Sequence, residues 1–314
     1  MSPTIETATK IKSRRSLISK IDPARLFFTL SGASVIFILL GIFYLLIINS
    51  VPFFKEYNFF EFLTSTRWNP TSSTPGYGIV PLLISSLYVT IGSMIISIPI
   101  GIGAALYLSE TAPNRIREIL KPVIEILASI PSVVIGFLGL VALGPVIAAL
   151  TGKSSGINAV NGSILLAIMA LPTIISLSED SLRSVPDSFR EASYALGANK
   201  WETMVKVILP SAKSGIFAGV MLGLGRAIGE TMTVLMVCGN APHMPSSFLD
   251  SIRTLTATIA IELGEVDFGS THYHGLFAVG CILFIITFII NLAADIVLRR
   301  QHSYSKSSRK AKAK

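Results

Sequence analysis

Five stretches of this chain carry no Asp, Glu, Lys or Arg: Leu26–Phe54, Trp68–Ser109, Ile126–Gly152, Ser154–Ser178 and Phe268–Ala294. Each is long enough for the roughly 20 helical residues that cross a hydrocarbon core. A sixth run, from about Val207 to Cys238, is equally apolar but is interrupted by Lys213, Arg226 and Glu230. Trimmed at their polar edges, the six runs predict spans over residues 27–49, 79–108, 122–150, 160–178, 211–238 and 275–297. The pattern predicts an all-α integral membrane protein with six transmembrane helices. The first run exceeds the roughly 7 to 15 apolar residues of a cleavable signal and reads as a retained span.

An even number of spans places both termini on one side. The N-tail, the segments 109–121 and 179–206 and the C-tail together hold 20 Lys and Arg, whereas the segments 50–78, 151–159 and 239–274 hold 4. Positive residues stay inside, so both termini are expected in the cytoplasm.

Composition removes the soluble classes. The chain is 51% hydrophobic and 14% charged, against roughly 25% charged in ordinary soluble domains, and its mean hydropathy is +0.66. A net charge of +8 would suggest a nucleic-acid partner, but residues 1–25 hold six Lys and Arg and residues 299–314 hold seven. The basicity therefore lies in two tails suited to topology and anionic lipid, with no basic groove between them. The chain divides into an N-tail (1–25), a six-span transmembrane domain (26–298) and a C-tail (299–314). The Ser/Lys-rich end from Ser303 is expected to be disordered.

Two connections are more than turns. In the segment 179–206, Ser184 before Pro186 and Asp187 marks a helix start and Gly197 its stop. In the outer segment 239–274, apolar residues at 252, 255, 259 and 263 have helical spacing over Ser251–Leu263. Pro131 and Pro172 lie inside spans, where each either kinks the helix or packs quietly.

The charges inside the fifth span carry the candidate chemistry. At 100° per residue, Gly215, Gly219, Gly223, Arg226, Glu230 and Thr233 fall on one stripe about 80° wide. Glycines at this spacing admit a neighbouring helix or a substrate, and charges at membrane depth are costly enough to imply a role. Two readings stand: Arg226 lines a passage and offers paired donors to an oxyanion, held by Glu230, or the pair joins two helices. Glu125 opens the third span with Ser129, Ser132 and Gly136 on the same face, a second polar lining or a solvated boundary carboxylate. Cys238 and Cys281 have neither disulfide nor zinc spacing, and His272 with His274 lacks a third metal ligand. Leu222-Gly223-Leu224-Gly225 has no preceding strand and is no dinucleotide loop. No Walker A loop or nucleophile elbow occurs, so no catalytic residue is assigned and any energy source must come from another chain.

The string Glu191-Ala192-Ser193-Tyr194-Ala195-Leu196-Gly197, nine residues, then Val207-Ile208-Leu209-Pro210 resembles the EAA loop of ABC importer permeases, with Ser193 and Val207 as mild departures. The resemblance implies a type I (MetI-like) permease fold in which the loop 184–210 couples to an ATP-binding subunit. Glu191, Ala192, Gly197 and Trp201 are then docking candidates. The segments Gly225-Arg226-Ala227-Ile228-Gly229-Glu230-Thr231-Met232, Ile130-Pro131-Ser132-Val133-Val134 and Arg253-Thr254-Leu255-Thr256-Ala257 are similar to the PstC family of phosphate-importer permeases. That similarity implies a PstA-like second permease, a PstB-like ATP-binding dimer and a PstS-like extracytoplasmic phosphate-binding protein. It further implies no cofactor on this chain, ATP and Mg on its partners, and phosphate passing Arg226.

The expected activity is thus ATP-driven import of inorganic phosphate by a non-enzymatic permease subunit, with Arg226, Glu230, Thr233, Ser132 and Glu125 along the pathway and Gly215, Gly219 and Gly223 packing helices. Arginine charge does not by itself separate phosphate from sulfate or molybdate. An ion-driven secondary transporter would show inverted repeats, and none is visible.

Overall fold

The computed structural model describes residues 23–312. The basic N-tail expected over residues 1–25 lies, as far as residue 22, outside the described residues, as do the final two residues of the C-tail. The chain divides into two units, one ending at Leu45 and one beginning at Leu46. Within the first unit, residues from 23 onward belong to helix α1 (Pro23–Glu56). Its apolar side chains, Phe27, Phe28 and Phe37 among them, are exposed, as suits a helix solvated by lipid.

In the second unit α2 (Phe59–Thr64) begins at Asn58, whose side chain accepts from the Phe60 N–H, and a two-residue hairpin follows with β1 (Trp68–Asn69) antiparallel to β2 (Gly76–Tyr77). Helix α3 (Val80–Leu106) starts with Pro81 in its first turn, where a missing N–H costs nothing, and continues through a π-helical turn to Thr111. Amphipathic α4 (Asn114–Ser129) precedes α5 (Ser132–Leu138), which runs through a π-helical turn into α6 (Gly144–Thr151). Next come α7 (Ala159–Arg183), α8 (Asp187–Ala195) and α9 (Lys200–Thr203), the last continuing through a π-helical turn into α10 (Leu209–Gly229). Short α11 (Met232–Val237) and α12 (Leu255–Glu262) precede the final α13 (Thr271–Lys312).

Six helices among the described residues are long and apolar enough to cross a membrane: Leu26–Glu56, Val80–Thr111, Ser132–Thr151, Ala159–Arg183, Lys200–Gly229 and Thr271–Ala293. Two expected spans are corrected. The third begins at Ser132, not 122, because Pro131 disfavours helix at the residue before it. Ile130 and Pro131 are extended (ψ 128° and 136°). The fifth begins at Lys200 and ends at Gly229, not 211–238. A capping box between Asn199 and Glu202 starts it early, and Glu230 adopts an extended conformation (φ −68°, ψ 133°). Pro172 is carried inside continuous α7.

Three smaller expectations also change. Ser184 caps the end of α7, and α8 starts after Pro186. The outer helix occupies Leu255–Glu262, behind a Thr254 cap, in place of Ser251–Leu263. The segment from Ser303, expected to be disordered, is helical to Lys312, with no Gly or Pro to stop it.

Helix α7 is the centre of the second unit, packed between α3 and α10. Close approach depends on glycine: a Cβ on Gly223 would lie 2.8 Å from Ile174 Cγ1, and one on Gly219 3.1 Å from Leu177 Cβ. Gly215 meets Ser181 in the same way. All three glycines therefore face α7. At the hairpin end, Phe53, Phe62, Trp68 and Tyr77 pack edge to face over buried Leu255, Leu276 and Val279.

Candidate functional site

The two broken spans meet at their breaks. Thr233, in the first turn of α11, is fully buried, and its hydroxyl donates to the Ser132 carbonyl at 3.1 Å. The Glu230 carboxylate accepts from the Thr233 N–H at 3.3 Å, so it stands at the start of α11 as a capping acceptor. The Thr256 hydroxyl donates to the Glu230 carbonyl at 2.8 Å, replacing the helical partner lost at the break. Backbone irregularity at membrane depth persists only where such partners exist.

This geometry brings Ser132, Glu230 and Thr233 together, joined by Thr256, which sequence reasoning did not single out. It also corrects two expectations. Because α10 ends at Gly229, the stripe from Gly215 to Thr233 does not continue along one helix face, and Arg226 and Glu230 form no ion pair. Half-buried Arg226 has no hydrogen-bond or ionic partner among the described residues. Glu125 does not share a helix face with Ser132, since α4 stops at Ser129; it is exposed on α4.

The expected docking residues lie on an open face. Gly197 has φ +82°, a left-handed conformation that glycine adopts freely, and it turns the chain from α8 towards α9. Glu191, Ala192 and Gly197 are exposed, as are Leu196 and Trp201. Beside them, Phe189, Ala192, Leu196, Gly197 and Val207 line a groove of about 740 Å³. Ser193, which departs from the alanine of the motif, is buried and shares a 2.8 Å hydrogen bond with the Thr203 hydroxyl.

Several ionic groups escaped the sequence reading. Glu179, expected in a loop, is buried in the last turns of α7 between Lys121 of α4 at 3.2 Å and Arg183 at 3.3 Å. Partial burial acts to lower the Lys121 pKa, but the hydrogen bond and charge of Glu179 outweigh it, so the ammonium is held above its ordinary 10.5. Glu110 at the end of the α3 span pairs with Arg190 of α8 at 2.7 Å. Both carboxylates directly follow charge-free runs, which was the available signal. At the opposite end, Glu262 accepts from Arg253 at 2.6 Å and from the Trp68 indole at 3.2 Å and contacts His272 at 2.9 Å. His274 instead donates to the Asn49 carbonyl at 2.7 Å, so the two histidines serve different partners. No group of three potential metal ligands occurs among the described residues.

The model of the family described as "Binding-protein-dependent transport system inner membrane component" matches residues 97–303. The chain belongs to that family. The permease is 44% identical over 232 residues to the probable ABC transporter permease protein YqgH of Bacillus subtilis (strain 168), covering 74% of this chain and 75% of the relative. It is 36% identical over 260 residues to the phosphate transport system permease protein PstC of Mesorhizobium japonicum, covering 77% and 79%. Among solved structures, the permease resembles a chain of the bacterial alginate ABC transporter in complex with alginate pentasaccharide-bound periplasmic protein (TM-score 0.62, 16% identity, 90% and 97% covered). It also resembles a chain of the inward-facing MetNI methionine ABC transporter (TM-score 0.56, 22% identity, 71% and 95% covered). These two likenesses establish the ABC permease fold, of the MetI-like kind.

Proposed function

We propose that this permease moves inorganic phosphate inward across the cell membrane as one of two membrane subunits of an ATP-driven importer, with both termini in the cytoplasm. The observation that carries the substrate is Arg226, a half-buried guanidinium without a hydrogen-bond or ionic partner among the described residues, one turn before the break at Glu230. An unpaired cation at membrane depth is costly. A passing oxyanion offsets that cost, and the planar donors of arginine match its oxygens. The phosphate named in the PstC relative supports the choice of anion.

The breaks at Ile130–Pro131 and Glu230–Thr231 let half-helices reorient without unwinding a span, which suits alternating access. Helix α8 with its open groove is the docking element for a PstB-like ATP-binding dimer, which holds ATP and Mg. A PstA-like permease completes the passage, and a PstS-like binding protein delivers phosphate outside. Hydrolysis belongs to the ATP-binding subunits, and this chain performs none.

The test is labelled phosphate uptake with all partner subunits at matched membrane levels, comparing wild type with Arg226→Gln and adding excess sulfate or molybdate. Uptake that resists the competitors and disappears in the variant is expected. Uptake surviving Arg226→Gln would remove Arg226 from the pathway, and displacement by sulfate would make the protein a broader oxyanion permease.

A further inference from the structure

Arg190 lies between the motif Glu191 and the body of the molecule, and its guanidinium is saturated. Nη2 and Nε donate to the two carboxylate oxygens of Glu110 at 2.7 and 3.3 Å. Nη1 donates to the Val185 carbonyl at 2.7 Å and to Asp187 at 3.1 Å, and Nη2 also reaches the Leu182 carbonyl at 3.3 Å. The Arg190 side chain is 18% exposed and that of Glu110 11%. Leu182 ends the α7 span and Glu110 ends the α3 span, so one side chain ties α8 to both.

The other face of α8 is open. Ala192 and Leu196 border the groove, Arg190 points inward to polar partners, and Ser193, three residues on and therefore on the same side as Arg190, lies at the groove's edge with its hydroxyl turned to Thr203. Ser193 bonds Thr203 at the start of the fifth span. A nine-residue helix held only by apolar contacts can slide over its neighbours, whereas a bidentate charged pair has fixed direction and distance. Beneath it, Ala105, Leu182, Val185, Ile208 and Ala212 form one buried cluster, so displacement of the strut displaces packed spans.

We propose that Arg190, through Glu110, is the positioning residue that transmits movement of α8 to the inner ends of the second and fourth spans. This rests on the reading of α8 as the docking helix. Without the strut, the ATP-binding dimer still docks and hydrolyses ATP, but its closure no longer moves the spans in step.

The experiment uses the complete importer in proteoliposomes, measuring co-purification of the ATP-binding subunit, ATP hydrolysis and labelled phosphate uptake for wild type, Arg190→Lys, Arg190→Gln and Glu110→Gln. Arg190→Gln is expected to retain the ATP-binding subunit while phosphate moved per ATP falls about tenfold or more. Arg190→Lys is expected to recover part of that ratio, since it keeps the charge and loses the fork. An unchanged ratio in Arg190→Gln would overturn the proposal. Should Arg190→Gln fail to assemble, Glu110→Gln decides, because it leaves α8 itself intact: a lowered ratio supports the strut and a normal ratio refutes it. Wild-type importer that hydrolyses ATP without moving phosphate would instead overturn the phosphate reading, a failure separate from any difference between variants.

Discussion

Thr233 donates its hydroxyl hydrogen to the carbonyl of Ser132, 101 residues away, at 3.1 Å. That bond joins the first turns of α5 and α11, which follow the extended residues Ile130–Pro131 and Glu230, and so ties the start of the third span to the segment just beyond the fifth. Thr233→Val keeps the shape and removes the second donor of a carbonyl that already accepts within α5. It is expected to lower stability by about 1–2 kcal/mol and to slow uptake, while Thr233→Ser restores both. Thermal unfolding in detergent and phosphate uptake check this, and a valine variant equal to wild type in both would contradict it.

Glycine packing gives a directional prediction. A methyl group at Gly223 meets Ile174 at 2.8 Å, whereas Gly103 on α3 has nothing within 4 Å of the corresponding position. Gly223→Ala should therefore destabilise by about 1–3 kcal/mol through overpacking. Gly103→Ala should be neutral or stabilising by up to about 1 kcal/mol, since alanine is the better helix former. Equal melting temperatures for the two variants would show that α7 and α10 are not in the close contact described.

The Glu179 carboxylate is buried, and among the described residues Lys121 is its only ionic partner from another helix. Lys121→Ala leaves that carboxylate with Arg183 alone. The expected loss is about 2 kcal/mol, below the usual cost of breaking a fully buried pair because both cations reach solvent. The sign with pH follows from the raised lysine pKa: the pair stabilises fully below the ordinary value of 10.5 and is lost as pH rises through the higher folded value. The difference between wild type and Lys121→Ala should thus stay constant from about pH 6 to about pH 9 and shrink only in stronger alkali. A difference that already falls between those two values would assign the effect to another group.

The turn at Gly197 should tolerate few residues. At φ +82° an alanine is strained by about 1–2 kcal/mol, and asparagine is tolerated better. Gly197→Ala is expected to weaken recovery of the ATP-binding subunit on affinity purification, with Gly197→Asn intermediate. Full recovery with alanine would mean that the turn geometry is not read by the partner.

The legible part of this protein was local. The six spans follow from runs of side chains too apolar to face water, and the stop at Gly197 from a backbone conformation few other residues accept, whereas the span expected over 122–150 ran through Pro131 and only the structure placed a break there. Ser193 looked like a blemish in a motif, because the Thr203 hydroxyl that satisfies it lies ten positions along and becomes a neighbour only when α8 folds back on α9.

By itself, the sequence determined that the chain is a six-span membrane protein with a helix held off the spans and ionisable residues inside the fifth, because hydrophobic length and backbone preference act over one or two turns. Only the tertiary structure decided which charges meet. Arg226 and Glu230 are four apart, as for a helical pair, yet they part because the Thr256 hydroxyl takes the Glu230 carbonyl and stabilises the break. Glu179 with Lys121 and Glu110 with Arg190 come from different helices, and only the packing of α4 and α8 against the ends of α7 and α3 brings them within reach. A charge chooses its partner by distance in space and by the water removed around it, and neither is set before the helices have packed.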